Sequence, residues 1–154
     1  MSDTQRLSFR EPNWIDRRIN RAFGFLLKLG LGLSHNYLLE VQGRKTGRTY
    51  STPVNVLEHK QLRYLVAPRG FTQWVRNVEA SGEGTLVRGA RRERIRLRPV
   101  IDEAKAEILK AYLDRYKITV QRYFPVAAGS PAQAFAPLAA RYPVFELMPN
   151  QDAA

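Results

Sequence analysis

Residues 37–67 read YLLEVQGRKTGRTYSTPVNVLEHKQLRYLVA, and the pattern of this segment is the main indication of the fold. Val54 and Val56 alternate with a polar residue, which is the two-residue period of a strand with one buried face. A glycine-framed turn at 43–47 and a two-residue turn at His59-Lys60 separate runs that have the length and composition of strands. The stretch therefore predicts consecutive antiparallel hairpins built from three strands: Tyr37–Gln42, Thr49–Glu58 and Leu62–Ala67.

Helices and a second hairpin follow in the remaining sequence. Pro, Gly and Ser punctuate the chain between its periodic segments. Antiparallel hairpins with helices between them indicate an α+β domain, most simply a small barrel or a curled sheet. The predicted elements are a helix capped by Thr72 and running through Ala80, strands Gly84–Arg88 and Arg92–Val100, a helix from Asp102 to about Tyr116, a short helix after the Gly129–Pro131 break, and a strand Tyr142–Met148.

The N-terminal region has a different character. Residues 1–12 are polar and read as a leader, and residues 13–154 read as a single domain. Apolar residues recur at helical spacing within residues 14–29, which predicts an amphipathic helix that either packs on the domain or lies on a membrane surface. We see no signal peptide and no apolar stretch long enough to span a bilayer. We expect a cytoplasmic protein, with peripheral contact at the inner membrane face as the alternative.

Composition narrows the chemistry. The 154 residues include 25 Lys and Arg against 14 Asp and Glu, a net charge of +11. A charge of this size favours an anionic partner, such as nucleic acid, an anionic membrane surface or a phosphorylated cofactor. The absence of cysteine excludes disulfides and thiolate catalysis. With only His35 and His59 as histidines, we expect no metal site.

The turn Gly43-Arg44-Lys45-Thr46-Gly47 is the first candidate site. Glycine lets the backbone turn sharply and approach a ligand. An arginine such as Arg44 can bind a phosphate or carboxylate through two parallel bonds, whereas a lysine such as Lys45 acts as a point charge. The spacing is not that of a P-loop. The alternative is a solvated hairpin connection.

Three further features carry candidate chemistry. Trp74 and Asn77 lie one helical turn apart and could hold a planar ring, or serve as a core Trp and a backbone-capping Asn. Four arginines alternate along one predicted strand and share one face, which is either solvated or a groove for a polyanionic tail. No aromatic residue is interleaved with them, so we do not expect nucleic-acid binding. The arginines are Arg92, Arg94, Arg96 and Arg98.

Together, these segments resemble the deazaflavin-dependent nitroreductase family of actinobacteria and their relatives. The resemblance rests on Leu38–Gly47, Ser51–Val56, Leu65–Gly70 and Trp74–Asn77, in that order. It implies a split β-barrel and an oxidoreductase whose chemistry belongs to a bound cofactor. The implied cofactor is 8-hydroxy-5-deazaflavin (factor 420), a hydride carrier with a phosphate and a polyglutamate tail. Its hydride would pass to a small apolar acceptor: a quinone, a nitro compound or an activated double bond.

The resemblance also implies roles for individual residues. Tyr50 departs from the family pattern, because many relatives carry an arginine at that position, and the segment between Gly70 and Trp74 is shorter than in many members. By position, the phosphate and tail would be contacted by Arg44, Lys45 and Thr46, and the ring system would be flanked by Trp74 and Asn77. The cofactor bed would be formed by Pro53, Val54, Asn55, Ala67, Pro68 and Arg69. The acceptor would face Tyr112, Tyr116 and Tyr123.

Two alternatives remain at this stage. A barrel of the same fold could bind lipid or fatty acid without deazaflavin turnover, with residues 14–29 on a membrane. It could also bind FMN or haem. Both a monomer and a homodimer are compatible with the sequence.

Overall fold

The computed structural model describes residues 36–150; the expected leader and the helix at 14–29 lie outside the described residues. Within that range there are two α-helices, α1 (Gln73–Ser81) and α2 (Ala106–Val120). Short 3₁₀ segments cover Asp102–Ala104, Gln121–Tyr123, Ala132–Ala134 and Ala136–Arg141. The strands are β1 (Asn36–Gln42), β2 (Thr49–Asn55), β3 (Leu57–His59), β4 (Leu62–Val66), β5 (Glu83–Arg88), β6 (Arg91–Pro99) and β7 (Val144–Pro149).

All seven strands form one antiparallel sheet in the order β2-β1-β5-β6-β7-β4-β3. The two edge strands, β2 and β3, are separated in sequence by Val56 alone. The sheet must therefore curl until its edges meet.

The single strand predicted over Thr49–Glu58 is wrong in one respect, because it divides at Val56. The carbonyl of Val56 accepts a hydrogen bond from the Tyr116 hydroxyl at 3.0 Å. The chain then leaves the β1 ladder and joins the β4 ladder.

The turn after β3 also differs from the prediction. His59 pairs with Leu62 inside the ladder, so the turn residues are Lys60 and Gln61, not His59-Lys60. Their φ angles are 49° and 68°. Positive φ at both central residues gives the hairpin twist that matches the flanking strands, here without the usual glycine.

Two apolar clusters sit on opposite faces of the sheet. The inner cluster joins strand residues such as Leu39, Leu86 and Phe145 to Val75 and Val78 of α1. In the outer cluster, β3, β4 and β7 pack against α2 and the 3₁₀ segments. The predicted buried side of α2 is confirmed, with Tyr116 packed at its edge: Ile108, Leu109, Tyr112 and Leu113.

Several predicted helix boundaries differ from those in the structure. The segment Asp102–Ala104 is 3₁₀, and α2 begins at Ala106 and continues to Val120, with a kink at Tyr116 (φ −113°, ψ 22°). Lys105 fixes the start: its buried Nζ lies 2.7 Å from Asp102 and donates to the Ala139 carbonyl at 3.0 Å. The short helix expected after Pro131 is a pair of 3₁₀ segments.

Helix α1 lies where the sequence placed it, within a residue. Thr72 occupies the N-cap position, but its hydroxyl makes no capping hydrogen bond. Gly82 ends the helix with φ 70°, and its N–H donates to Val78 at 2.6 Å. Neither α-helix within residues 36–150 is long and apolar enough to cross a membrane.

Candidate functional site

A cavity of about 1060 Å³ opens between the β1–β2 hairpin, the end of β4, α1 and α2. Its volume is that of a site for a sizeable organic molecule. Every residue that the sequence predicted for the site lines it, although these residues come from five separate segments. They are Arg44, Lys45, Thr46, Pro53, Val54, Asn55, Ala67, Pro68, Arg69, Trp74, Asn77, Tyr112, Tyr116 and Tyr123.

The basic turn, Gly43–Gly47, is closed by its own backbone. The Gly47 N–H donates to the Gly43 carbonyl at 2.9 Å, and the Gly43 N–H donates to Arg48 at 2.7 Å. Gly47 has φ 71°, a left-handed conformation that glycine adopts without a Cβ clash. The Arg48 N–H donates to Thr46 Oγ1 at 3.2 Å, so part of the threonine hydroxyl's capacity serves the turn.

Tyr50 packs its ring directly on Gly43. A Cβ at Gly43 would lie 2.6 Å from Tyr50 Cε2 and 3.1 Å from Thr46 Oγ1. The Tyr50 hydroxyl is 3.5 Å from the same Thr46 oxygen, and Tyr50 lines the cavity with 48% of its surface exposed. Tyr50, where the family resemblance led us to expect an arginine, is here a flat aromatic surface beside the turn.

Arg44 is held by two amide side chains of α1. Asn77 Oδ1 accepts from the Arg44 backbone N–H at 3.2 Å and from Nη1 at 2.9 Å. Gln73 Oε1 accepts from the same Nη1 at 3.1 Å. Asn77 is buried, with 5% exposed, and Gln73 is exposed. Asn77, which the resemblance assigns to the ring system, lines the cavity, and its amide oxygen contacts the basic turn.

The cavity lining has a one-sided charge. Arg44, Lys45, Arg69 and Arg115 line it, and no Asp or Glu occurs among the described residues around it. Cations in a cleft without carboxylates focus a positive potential that draws in an anion. The charge of the lining therefore favours an anionic ligand.

The arginine face, formed by Arg92, Arg94, Arg96 and Arg98, is confirmed as one exposed face of β6, opposite buried Ile95 and Leu97. None of the four arginines lines the cavity. Arg92 lies 2.6 Å from Glu40, and Arg98 lies 2.5 Å from Glu146. The groove for a polyanionic tail, one of the two alternatives for this face, is not part of this cavity. Neighbouring strands supply the two carboxylates.

Aromatic side chains shape the rest of the lining. The Trp74 ring packs on Phe145 of the inner cluster, with centroids 6.1 Å apart. The tyrosine end of the cavity consists of Tyr112, Tyr116 and Tyr123. The Tyr112 and Tyr116 centroids are 5.2 Å apart at 56°, within the range of favourable aromatic pairs.

The hydroxyl groups of Tyr112 and Tyr116 keep their protons at neutral pH. Burial raises the pKa of Tyr112 well above its ordinary value, and the hydrogen bond with Asn55 only partly opposes this shift. Burial also raises the pKa of Tyr116, against the influence of neighbouring Arg115. Tyr116 uses its proton in the bond to Val56.

The comparisons with known proteins agree with this geometry. Residues 8–127 match the model of the F420H(2)-dependent quinone reductase family. The chain belongs to this family. The match confirms the resemblance drawn from the sequence, and it makes the chain an oxidoreductase with F420, the 8-hydroxy-5-deazaflavin, as its cofactor.

Solved structures show the same fold at low identity. An F420H2-dependent reductase, FDR-A, shares 18% identity with a TM-score of 0.51, covering 75% of this chain and 95% of that one. A FAD-binding protein from Mesorhizobium loti shares 11% identity with a TM-score of 0.51, covering 84% and 89%. These neighbours confirm the split β-barrel.

A protein of unknown function from Agrobacterium tumefaciens shares 15% identity with a TM-score of 0.54. The match covers 90% of this F420H2-dependent quinone reductase family member but only 58% of that protein. A search of the curated proteins found no match.

The cavity of this family member fits F420 on its own evidence. A phosphate and several carboxylates need clustered cations without competing acids, and the lining offers that set. Among residues 36–150, the amides of Lys45 and Thr46 are not used by the turn's own hydrogen bonds, which leaves them for an anion. Trp74 and the prolines Pro53 and Pro68 add flat apolar surface for a ring system.

Sequence reasoning missed several lining residues. Arg115 and Thr119 follow Tyr112 by three and seven positions, a spacing that puts them on one helix face and could have revealed them. Gln73 and Thr72 carried no such signal. The Thr72 Oγ1 atom is buried and has no hydrogen-bond partner among the described residues.

Proposed function

We propose that this protein transfers a hydride from reduced F420 to a small apolar acceptor: a quinone, a nitro compound or an activated double bond. One observation supports the proposal above the others. The lining of one cavity combines the cations of the basic turn, with no carboxylate among its described residues, and the tyrosines of α2 and the segment after it. Such a cavity can hold a long anionic cofactor and a second, uncharged molecule together.

In this proposal the basic turn binds the phosphate and tail. Arg44 offers a fork of donors, Lys45 a point charge and Thr46 a hydroxyl. The bed beneath the ring system is formed by Pro53, Val54, Asn55, Ala67, Pro68 and Arg69, and Trp74 flanks it.

The acceptor would occupy the tyrosine end. When bound, the reduced deazaflavin supplies the hydride. The acceptor also needs a proton, and Tyr112, Tyr116 or Tyr123 could hold it at its hydroxyl, since these groups lie at the cavity surface. Tyr116 is already committed to the Val56 carbonyl, so its proton would have to leave that bond.

Fluorescence titration of the purified protein with F420 tests the first half of the proposal. We expect saturable binding in the micromolar range, followed by turnover of reduced F420 with at least one of three acceptors: menadione, a nitroimidazole or an enone. Binding without turnover of any acceptor class would remove the reductase proposal and leave a cofactor-binding protein.

The absorbance spectrum and bound lipid of the protein as purified test the other occupants of the fold. A flavin spectrum would favour FMN, and a Soret band would favour haem. Co-purifying fatty acid together with no F420 binding would support the lipid-binding alternative.

Single Tyr→Phe variants at Tyr112, Tyr116 and Tyr123 test the source of the proton. If one tyrosine supplies it, its variant should lose roughly a hundredfold to ten-thousandfold in turnover while F420 binding stays unchanged. Equal turnover in all three would assign the proton to solvent.

A further inference from the structure

Two amide side chains, Gln73 and Asn77, reach from α1 to Arg44 across the edge of the cavity. Three hydrogen bonds of 2.9–3.2 Å join them to the Arg44 guanidinium and backbone N–H. The residues are 29 and 33 positions away from Arg44 in sequence. The contacts therefore fix the basic turn against a separate element of the fold.

The chemistry of this grip differs from that of other arginines in the protein. Arg63 is held by Glu93 at 2.7 Å, Arg92 by Glu40 at 2.6 Å and Arg98 by Glu146 at 2.5 Å. A carboxylate partner orients an arginine but also neutralises it. An amide oxygen orients the guanidinium and leaves its full positive charge, along with its remaining N–H donors, available to a ligand.

We propose that Gln73 and Asn77 are positioning residues that hold Arg44 ready for an anionic group while keeping its charge uncompensated. The inference rests on the proposed function of the cavity and extends it. Preorganisation lowers the entropy lost when a long side chain is ordered by its ligand. The neutrality of both partners is then a functional requirement at this point of the fold.

Gln73→Glu is the sharpest test of that requirement. The change keeps the size of the side chain and puts a carboxylate where the neutral oxygen now lies, 3.1 Å from Arg44 Nη1. Gln73 is exposed and is the first residue of α1, where a negative charge suits the helix dipole, so the fold should tolerate it. The new ion pair would compete with the ligand for Arg44.

The experiment compares two ligands by fluorescence titration: F420, and the deazaflavin without its phosphate and glutamate tail. Gln73→Glu should weaken F420 binding about tenfold and leave binding of the tailless deazaflavin within about twofold. Gln133→Glu is the matched control, because Gln133 is exposed and does not line the cavity. It adds the same charge and should change neither affinity by more than about twofold.

A double-mutant cycle shows whether the effect passes through Arg44. In an Arg44→Gln background, Gln73→Glu should cost less than about threefold for F420. An equal loss in both backgrounds would assign the effect to direct repulsion of the tail and would overturn the positioning role. Asn77→Ala, checked for folding by circular dichroism, should weaken F420 more than the tailless deazaflavin.

The outcomes separate the two claims. Wild-type protein that binds neither deazaflavin would remove the proposed function, and the inference with it. Wild-type protein that binds F420 with an affinity that Gln73→Glu leaves unchanged would overturn the inference alone.

Discussion

Two regions of this protein are rich in arginine, but their arginines have different hydrogen-bond partners. Around the cavity, Arg44 is held by neutral amides and no described carboxylate joins the lining. On the arginine face of β6, Arg92 and Arg98 are paired with glutamates from neighbouring strands. The availability of an arginine to a ligand therefore depends on its hydrogen-bond partners. It does not depend on how many arginines the region contains.

Removing a cation from each region should give the largest contrast. Arg44→Ala should weaken F420 binding roughly tenfold to a hundredfold, because hydrogen bonds to a charged group contribute about 1.5–3 kcal/mol. Arg94→Ala, on the exposed arginine face, should change the affinity by less than about twofold. Fluorescence titration of both variants checks this, and equal losses would mean that the two regions act alike.

Stability should show the next contrast. Asn77→Ala removes a buried side chain and its bonds to Arg44, so unfolding should become easier by about 1–3 kcal/mol in urea. Glu146→Gln removes the negative charge from the more exposed pair with Arg98 but keeps an acceptor oxygen, and should cost less than about 1 kcal/mol. A larger loss of stability in Glu146→Gln than in Asn77→Ala would contradict this ranking of the two contacts.

The tyrosine end of the cavity should make folding stability depend on pH in the alkaline range. Burial raises the pKa of Tyr112 above its ordinary value of 10.0, so the unfolded chain releases this proton at lower pH than the folded protein. Stability is therefore lost as pH rises beyond about 10. Tyr112→Phe should reduce that loss by about 1 kcal/mol between roughly pH 10 and 11.

Urea midpoints at the two pH values measure this difference, and a constant offset from the lost Asn55 bond cancels in the comparison. Desolvation also raises the pKa values of Tyr64, Tyr116 and Tyr142, so the stability of both proteins should still decline. Parallel declines would mean that Tyr112 ionises as easily in the fold as in the unfolded chain.

The smallest expected effect concerns salt. F420 affinity should fall severalfold as ionic strength rises through the physiological range, because exposed charges are screened over about 8–10 Å. Lys45→Gln should flatten this dependence, and Arg94→Gln should leave it unchanged. A wild-type dissociation constant that does not respond to salt would contradict tail-led binding.

Much of the candidate site could be predicted because it is carried by short segments around tight hairpins. The residue pattern alone indicated the basic turn as an anion site and placed Trp74 and Asn77 on one helix face. The family resemblance, and not periodicity, implied the roles of Pro53–Asn55, Ala67–Arg69 and the tyrosines. All of these residues meet at one cavity.

The remaining features depend on contacts between distant segments, which local patterns do not encode. The break at Val56 follows from a hydroxyl 60 positions later, and the glutamates that occupy Arg92 and Arg98 lie 52 and 48 positions away. The groove for a polyanionic tail, one of the two alternatives for the arginine face, is not part of the cavity and stays a prediction. Gln73 was missed because a glutamine on an exposed helix face has no sequence signal of its own, and Asn77 was named without its contact to Arg44.

A structure of the protein with F420 bound would test the central claim most directly. We expect the phosphate or the first tail carboxylate to lie within hydrogen-bond distance, about 3 Å, of Arg44, while Gln73 and Asn77 keep their contacts with Arg44. A tail that lies along Arg94 and Arg96, or one that leaves Arg44 bound only to its two amides, would contradict it.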